Sequence, residues 1–164
     1  MTDICERRRV VHCPHHKAAQ YLAAFVADHQ VGDGTVHIAL RRPIFADRRR
    51  LTERPVVATL SLQSTSELYP AYAVSWLPKV DGPSPEFVGT LTVEKCRRDD
   101  CFRLIPRGHY QPVSSVGVRL DAKAGRRTAR VSAREVLRAI AGYVTEACAH
   151  KKAALAGHSR YVSR

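Results

Sequence analysis

The chain has 164 residues, a formal net charge of +12 and five cysteines. A chain of this length buries about two thirds of its unfolded surface, so a single domain can fold without a metal or disulfides. The longest apolar run, residues 21–27, is too short to cross a bilayer and no secretory signal is evident, so we expect a cytoplasmic protein with reduced cysteines and no membrane span.

The N-terminal third predicts one strand, one helix and a second strand. Residues 7–12 have the composition of a short strand that ends at Pro14, and residues 17–29 have the apolar spacing of an amphipathic helix. The β-branched segment 35–40 predicts the next strand. Residues 41–54 are polar and irregular, and we interpret them as a long loop.

The middle of the chain predicts an antiparallel sheet. Strand patterns occur at 55–64, 71–77, 86–96 and 101–110, with turn-rich segments between them. In each strand, alternate residues form an apolar set. Strands joined by short connections pair in antiparallel fashion, and a single apolar face on such a sheet has to be covered.

The last third predicts the cover. Residues from about 126 to 150 have helical periodicity and would form a helix roughly 37 Å long. Val136 and Ile140 lie in the centre of its apolar arc, whereas Arg134 and Arg138 lie opposite. We therefore expect this helix to lie across the sheet with a buried face and a basic back.

This order of elements resembles a known family. The segments FVGTLTVEK, RLIPRGHYQPVSSVGVRLD and GRRTARVSAREVLRAIAGYV, with a G-x-Y-x-P step at Gly108, Tyr110 and Pro112, are similar to small bacterial members of the SRPBCC superfamily of START-like and birch-pollen-allergen-like helix-grip proteins. The likeness extends over about residues 55–150. It implies an α+β helix-grip fold, in which a curved antiparallel sheet of six to seven strands wraps around a long C-terminal helix, with one or two short helices after the first strand.

No internal repeat or low-complexity linker divides the sequence. We therefore expect residues 1–155 to form a single helix-grip domain and residues 156–164 a flexible basic tail. The pattern departs from the family in showing one clear helix after the first strand where many relatives have two, and six clear strands where seven are usual. We expect Gly108 to ease the last strand out of the sheet and Pro112 to end it.

A helix grip implies an apolar cavity between sheet and helix. The small inner-face residues Ala58, Gly89, Ala129 and Ala133 agree with a cavity, but they would equally allow the helix to approach the sheet closely. The candidate ligand-binding residues are the large side chains that alternation and helical period direct into this space. They are Tyr72, Trp76, Phe87, Leu91, Tyr110, Val136, Ile140 and Tyr143.

Motifs that carry chemistry are missing from the sequence. It contains no phosphate loop, nucleophile elbow or metalloprotease pattern, and the spacing of HCPHH at 12–16 matches no standard zinc site. We assign no catalytic residue, no metal and no cofactor. Cys96 and Cys101 flank a predicted four-residue turn, so we expect them to be neighbours on the outer face, able to form a disulfide on oxidation.

These observations favour a non-catalytic monomer or homodimer that carries or senses a hydrophobic small molecule, such as a lipid or a polyketide-like compound. One alternative is a polyketide cyclase or aromatase, which needs polar residues inside the pocket. Another is a basic module for nucleic acid or another polyanion. Arginine outnumbers lysine 21 to 6 and occurs in many short groups, which favours a solvated basic surface over a polyanion site.

Overall fold

The computed structural model has an α+β fold of antiparallel sheets and a long C-terminal helix. It describes residues 2–5, 8–31, 35–44, 52–60, 63–64, 71–76, 86–111 and 122–159. Within these residues the elements in chain order are β1 (Thr2–Cys5), β2 (Arg9–Val11), a short 3-10 helix (His15–Lys17), α1 (Ala18–His29), β3 (Gln30–Val31), β4 (Thr35–Ile44), β5 (Thr52–Leu60), β6 (Gln63–Ser64), β7 (Ala71–Trp76), β8 (Glu86–Lys95), β9 (Phe102–Gln111) and α2 (Ala122–Ser159).

The larger sheet is organised around β9. Its strand order is β1-β9-β8-β7-β6, and β2 also pairs with β9. On one side β9 pairs with β8 along its whole length, from Glu86 opposite Gln111 to Lys95 opposite Phe102. On the other side it pairs with both N-terminal strands. The first strands of the chain are therefore held by the last one.

The smaller sheet has the order β3-β4-β5. β4 and β5 form a hairpin whose register continues as far as Ile44 opposite Thr52. The predicted loop over residues 41–54 is therefore wrong at both ends, while its centre, 45–51, lies outside the described residues. Each of these polar ends is stabilised as a strand by its pairing partner, which overrides its weak local preference.

The predictions for the other elements agree with the structure more closely. The three strands predicted at 71–77, 86–96 and 101–110 lie within one residue of β7, β8 and β9. The strand predicted at 55–64 ends at Leu60, and β6 forms separately. The first predicted helix, 17–29, matches α1 after the short 3-10 helix.

Helix α2 is longer than predicted at both ends. It begins at Ala122 and ends at Ser159, so the first four residues of the predicted tail are helical, while the last five lie outside the described residues. The assignment of a single helix-grip domain stays a prediction. Among the described residues, no helix is both long enough and apolar enough to cross a membrane.

The core lies between α2, α1 and the sheets. The backbone of α2 approaches α1, β2 and β4 most closely, followed by β9. Val136 and Ile140 are 1% and 0% exposed, as predicted, and Arg134 on the opposite side of the helix is exposed. In β8, Phe87 and Leu91 are buried and Thr90 is exposed, which confirms the predicted alternation.

A glycine pair brings β8 and β9 together beneath an aromatic ring. Gly89 and Gly108 are directly opposite each other. A Cβ atom on Gly89 would lie 2.9 Å from Cζ of Phe87, and one on Gly108 would lie 2.7 Å from the same atom. The ring of Phe87 therefore fills the space that two missing side chains leave, and Gly108 lies inside β9 instead of releasing the strand from the sheet.

We predict opposite effects for alanine at two glycines. In Gly108→Ala the new Cβ would collide with the carbonyl oxygen of Val88 and lie 2.7 Å from Cα of Gly89, both backbone atoms. The expected loss of unfolding free energy is about 1–3 kcal/mol. Gly142→Ala should instead gain about 0.5–1 kcal/mol, because the position is helical and, apart from the adjacent residues and the nearby helix backbone, no atom lies within 4 Å of the added Cβ. Urea unfolding measures both, and equal midpoints for Gly108→Ala and the wild type would contradict the contact.

A second pair of variants tests which face of α2 is buried. Ile140→Ala should lower the unfolding free energy by about 2–5 kcal/mol, because the side chain is 0% exposed and its removal leaves a cavity. Arg134→Ala on the exposed face should change it by no more than about 0.5 kcal/mol. Thermal or urea unfolding of the two variants side by side measures the difference, and similar losses in both would show that the helix presents a different face.

Candidate functional site

Six of the eight predicted ligand-binding residues belong to the buried core cluster, and we call these six the apolar wall. None of the six is more than 8% exposed. The apolar wall consists of Tyr72, Phe87, Leu91 and Tyr110 from the sheet and Val136 and Ile140 from α2. Of the other two predicted residues, Tyr143 is half-buried and packs at the edge of the cluster, and the side chain of Trp76 lies outside the described residues.

The sheet side of the apolar wall is built from cross-strand neighbours. Phe87 and Tyr110 are directly opposite, with ring centroids 5.1 Å apart and planes inclined at 58°. Tyr72 lies opposite Leu91 on the other edge of β8. Aromatic pairs in this geometry stabilise a sheet beyond the area they bury. The pairing of three consecutive strands therefore fixes the shape of this surface.

The apolar wall carries hydroxyl groups but no ionised group. Burial raises the pKa of the Tyr72 phenol above its usual value of 10.0, so it is neutral at physiological pH. Tyr110 is 5% exposed and supplies a second phenol. The other four members are hydrocarbon. Such a surface can contact apolar groups and donate a hydrogen bond.

The small residues at this interface are covered. Ala133 on α2 is 2% exposed, and the space beside Gly89 is occupied by the Phe87 ring. The side chains of Ala58 and Ala129 lie outside the described residues. In this conformation the described part of the interface is closely packed, so an enclosed molecule has to displace side chains or part of α2.

Tyr143 takes part in a contact between α1 and α2. Its hydroxyl donates a hydrogen bond to Oδ2 of Asp28, and its ring meets those of Phe25 and His29 edge to face, with centroids 5.4 Å away in each case. Nδ1 of His29 lies 2.9 Å from the carbonyl oxygen of Phe25. The bond to Asp28, with burial as a smaller contribution, raises the pKa of Tyr143 to about 12. The phenol therefore stays protonated as a donor.

Sequence reasoning missed the partners of Tyr143. Asp28 and His29 are adjacent residues at the end of α1 and match no motif, and Asp28 is 115 positions from Tyr143. The exposed position of Asp28 on an amphipathic helix gives no sign of a partner. The contact follows from the packing of the two helices, which the sequence alone does not specify.

A second unpredicted contact joins the two ends of the chain. The buried residues Cys13 and Cys148 are neighbours in the core. Burial, and then the neighbouring Cys148, raises the pKa of Cys13 to about 12. Burial, and then Cys148, also raises the pKa of Tyr21 above its usual value. The Cys13 thiol is therefore protonated and serves as a packing group.

The potential metal ligands of the HCPHH segment, residues 12–16, do not all share one environment. Cys13 is buried against α2, whereas His12 and His16 are exposed. Within the described residues, no group of three or more histidine, cysteine or acidic side chains could hold a metal ion.

Basic residues form a row on the exposed side of α2. Arg130, Arg134 and Arg138 are exposed at intervals of four positions, so they share one helix face. Nη1 of Arg138 lies 2.9 Å from Oε1 of Glu135. Lys95 forms a similar exposed pair with Asp99, at 2.7 Å. Part of the positive charge is therefore matched locally on the surface.

Comparison with known proteins identifies no family for this chain. No protein-family model, curated protein or solved structure matches the chain. The described residues establish an α+β fold with an antiparallel sheet and a C-terminal helix whose apolar face is buried.

We predict an energetic coupling between Tyr143 and Asp28. In a double-mutant cycle, Tyr143→Phe and Asp28→Ala should show a coupling energy of about 1 kcal/mol in the unfolding free energy, because either change removes the same hydrogen bond. Tyr143→Phe removes only the hydroxyl group and keeps the ring contacts with Phe25 and His29, so its effect reports the hydrogen bond alone. Additive effects in urea unfolding would exclude the bond in solution.

The pH dependence of this contact has a defined sign. The pKa of Tyr143 is higher in the folded protein, about 12, than the value near 10 of an unfolded chain. The stabilisation is therefore complete below about pH 10 and declines as the pH rises towards 12. Tyr143→Phe should show a weaker loss of stability across this range than the wild type does.

Proposed function

We propose that this chain is a helix-grip protein that binds a hydrophobic small molecule between its sheet and α2, without catalysis. The observation that carries the proposal is the apolar wall, in which residues of β7, β8, β9 and α2 form one buried surface. Lipids and polyketide-like compounds are the ligand classes that fit such a surface, because most of their area is hydrocarbon.

The packing of α2 supports entry of a ligand at this interface. Among the described residues, the main neighbours of α2 are α1, β2 and β4, followed by β9. The long side chains of Tyr72, Phe87 and Leu91 on β7 and β8 belong to the same buried cluster as Val136 and Ile140 of α2. A bound molecule can replace contacts between side chains, whereas it could not replace a close backbone contact. Local movement of α2 would therefore admit it.

The energetics of burial are sufficient for useful binding. Ten methylene groups transferred from water gain about 8 kcal/mol, before the costs of association and of displacing side chains. The neutral phenol of Tyr72 suits a ligand with a carbonyl or hydroxyl group. An uncompensated ligand charge would be costly beside it.

The composition of the apolar wall supports binding over the cyclase or aromatase alternative. Its described members are aromatic or aliphatic, and acid-base chemistry needs a group that can exchange a proton near neutral pH. The polyanion alternative is supported by the arginine row on α2, which lies on the face opposite the apolar wall. The two kinds of binding can therefore be separated by variants on opposite sides of one helix.

We predict that a dansyl-labelled fatty acid binds with an affinity that changes little between low and high salt. Ala133→Leu should weaken binding about tenfold, because the added side chain occupies the interface beside Val136. The same substitution at exposed Ala149 is the matched control and should leave binding unchanged. Native mass spectrometry of the purified protein should also show a retained apolar molecule.

Two outcomes would contradict the proposed function. If no fatty acid binds, and Ala133→Leu only lowers the unfolding free energy by about 1–3 kcal/mol, the interface is a filled core. If single-stranded DNA binds with a steep salt dependence that Arg134→Ala reduces, while the fatty acid does not bind, the basic surface is the functional one.

A further inference from the structure

The tip of the β8–β9 hairpin places two cysteines opposite each other. The last paired residues of the two strands are Lys95 and Phe102, and the register continues by one step because the backbone N–H of Cys96 donates to the carbonyl oxygen of Cys101 at 3.3 Å. Opposite residues of a hydrogen-bonded antiparallel pair have Cα atoms about 5.5 Å apart. Disulfides span Cα distances of about 4.4–6.8 Å, so the backbone is already positioned for one.

The two sulfur atoms are also neighbours. The Cys96 thiol is close enough to that of Cys101 to raise the pKa of Cys101, with burial as a smaller cause, and Sγ of Cys101 lies 4.0 Å from the carbonyl oxygen of Arg98 in the turn. By strand alternation both side chains lie on the outer face of the sheet, and neither belongs to the core cluster. Rotation of the two side chains is sufficient to bring the sulfur atoms into bonding distance.

The other thiol pair provides a comparison within the same molecule. All four cysteines are buried, but Cys96 and Cys101 are 8% and 9% exposed and flank an exposed turn, whereas Cys13 and Cys148 are 0% and 1% exposed. Movement of this turn is sufficient to admit a dissolved oxidant to the hairpin pair. The oxidant can reach the core pair only after part of α2 has separated from the N-terminal segment.

We propose that Cys96 and Cys101 form a dithiol–disulfide redox site at the tip of the β8–β9 hairpin, which is oxidised by hydroperoxides or by low-molecular-weight disulfides. With a hydroperoxide, one thiolate attacks the terminal peroxide oxygen, the O–O bond breaks, and a sulfenic acid and an alcohol form. The second thiol then displaces the hydroxyl group as water. With a disulfide oxidant, two exchange steps release two small thiols.

The hairpin holds the two cysteines so that either thiol can react first. The thiol that reacts first carries the adduct or the sulfenic acid, and its neighbour is the resolving thiol that closes the disulfide. The reaction removes two electrons from the pair and is reversed by a dithiol reductant.

The test uses glutathione disulfide and hydrogen peroxide on the folded full chain at neutral pH. The expected product has lost two hydrogens and yields a linked peptide containing Cys96 and Cys101 after digestion. Cys13 and Cys148 should resist alkylation until the protein is unfolded. Cys5→Ser is the control for the fifth cysteine and should oxidise as the wild type does.

Two variants test the resolving step. Cys101→Ser should accumulate a glutathione adduct on Cys96, because the resolving thiol is missing, and Cys96→Ser should accumulate one on Cys101 for the same reason. A Cys13–Cys148 bond that forms first, or oxidation that yields only intermolecular dimers through Cys5, would overturn the proposal.

Discussion

The apolar face of α2 has to be removed from water, and this requirement determines how the rest of the described fold is arranged. A helix of 38 residues with one apolar side is stable in water only when that side is covered. Val136, Ile140 and Val144 are covered by elements from both sheets and from α1. The two sheets and the short helix therefore meet at one shared core.

The detailed shape of that core depends on the contact between β8 and β9. Because Gly89 and Gly108 have no side chains, the ring of Phe87 can lie against both strands and meet Tyr110 from above. One large aromatic side chain therefore covers the two positions that lack side chains. Sequence analysis left Gly89 open between a cavity and close packing, and in the structure the ring of Phe87 occupies the space beside it.

The parts of the fold that could be predicted from the sequence are those set by local periodicity. Alternation placed β7, β8 and β9 and selected their buried residues, and helical spacing selected the buried face of α2, because each pattern repeats within one element. Features that depend on a distant partner could not be predicted. They include the ends of the β4–β5 hairpin, the bond from Tyr143 to Asp28 and the thiol contact of Cys13 with Cys148. For the candidate site, the six residues of the apolar wall share one buried cluster, while their role in binding a ligand stays a prediction, because the chain pattern could not distinguish a filled interface from an open one.

The pairing of β1 and β2 with β9 has a consequence for synthesis on the ribosome. The N-terminal strands emerge first, but their partner ends at Gln111, so Val11 lacks the surface that covers it until most of the chain has been made. At about 5–20 residues per second, the intervening stretch of roughly 100 residues takes on the order of 5–20 seconds to translate. Long-range strand pairing is also intrinsically slow. During this interval the nascent N-terminus exposes an unpaired strand edge, the type of surface that chaperones bind, and the native sheet is completed only when β9 has left the exit tunnel.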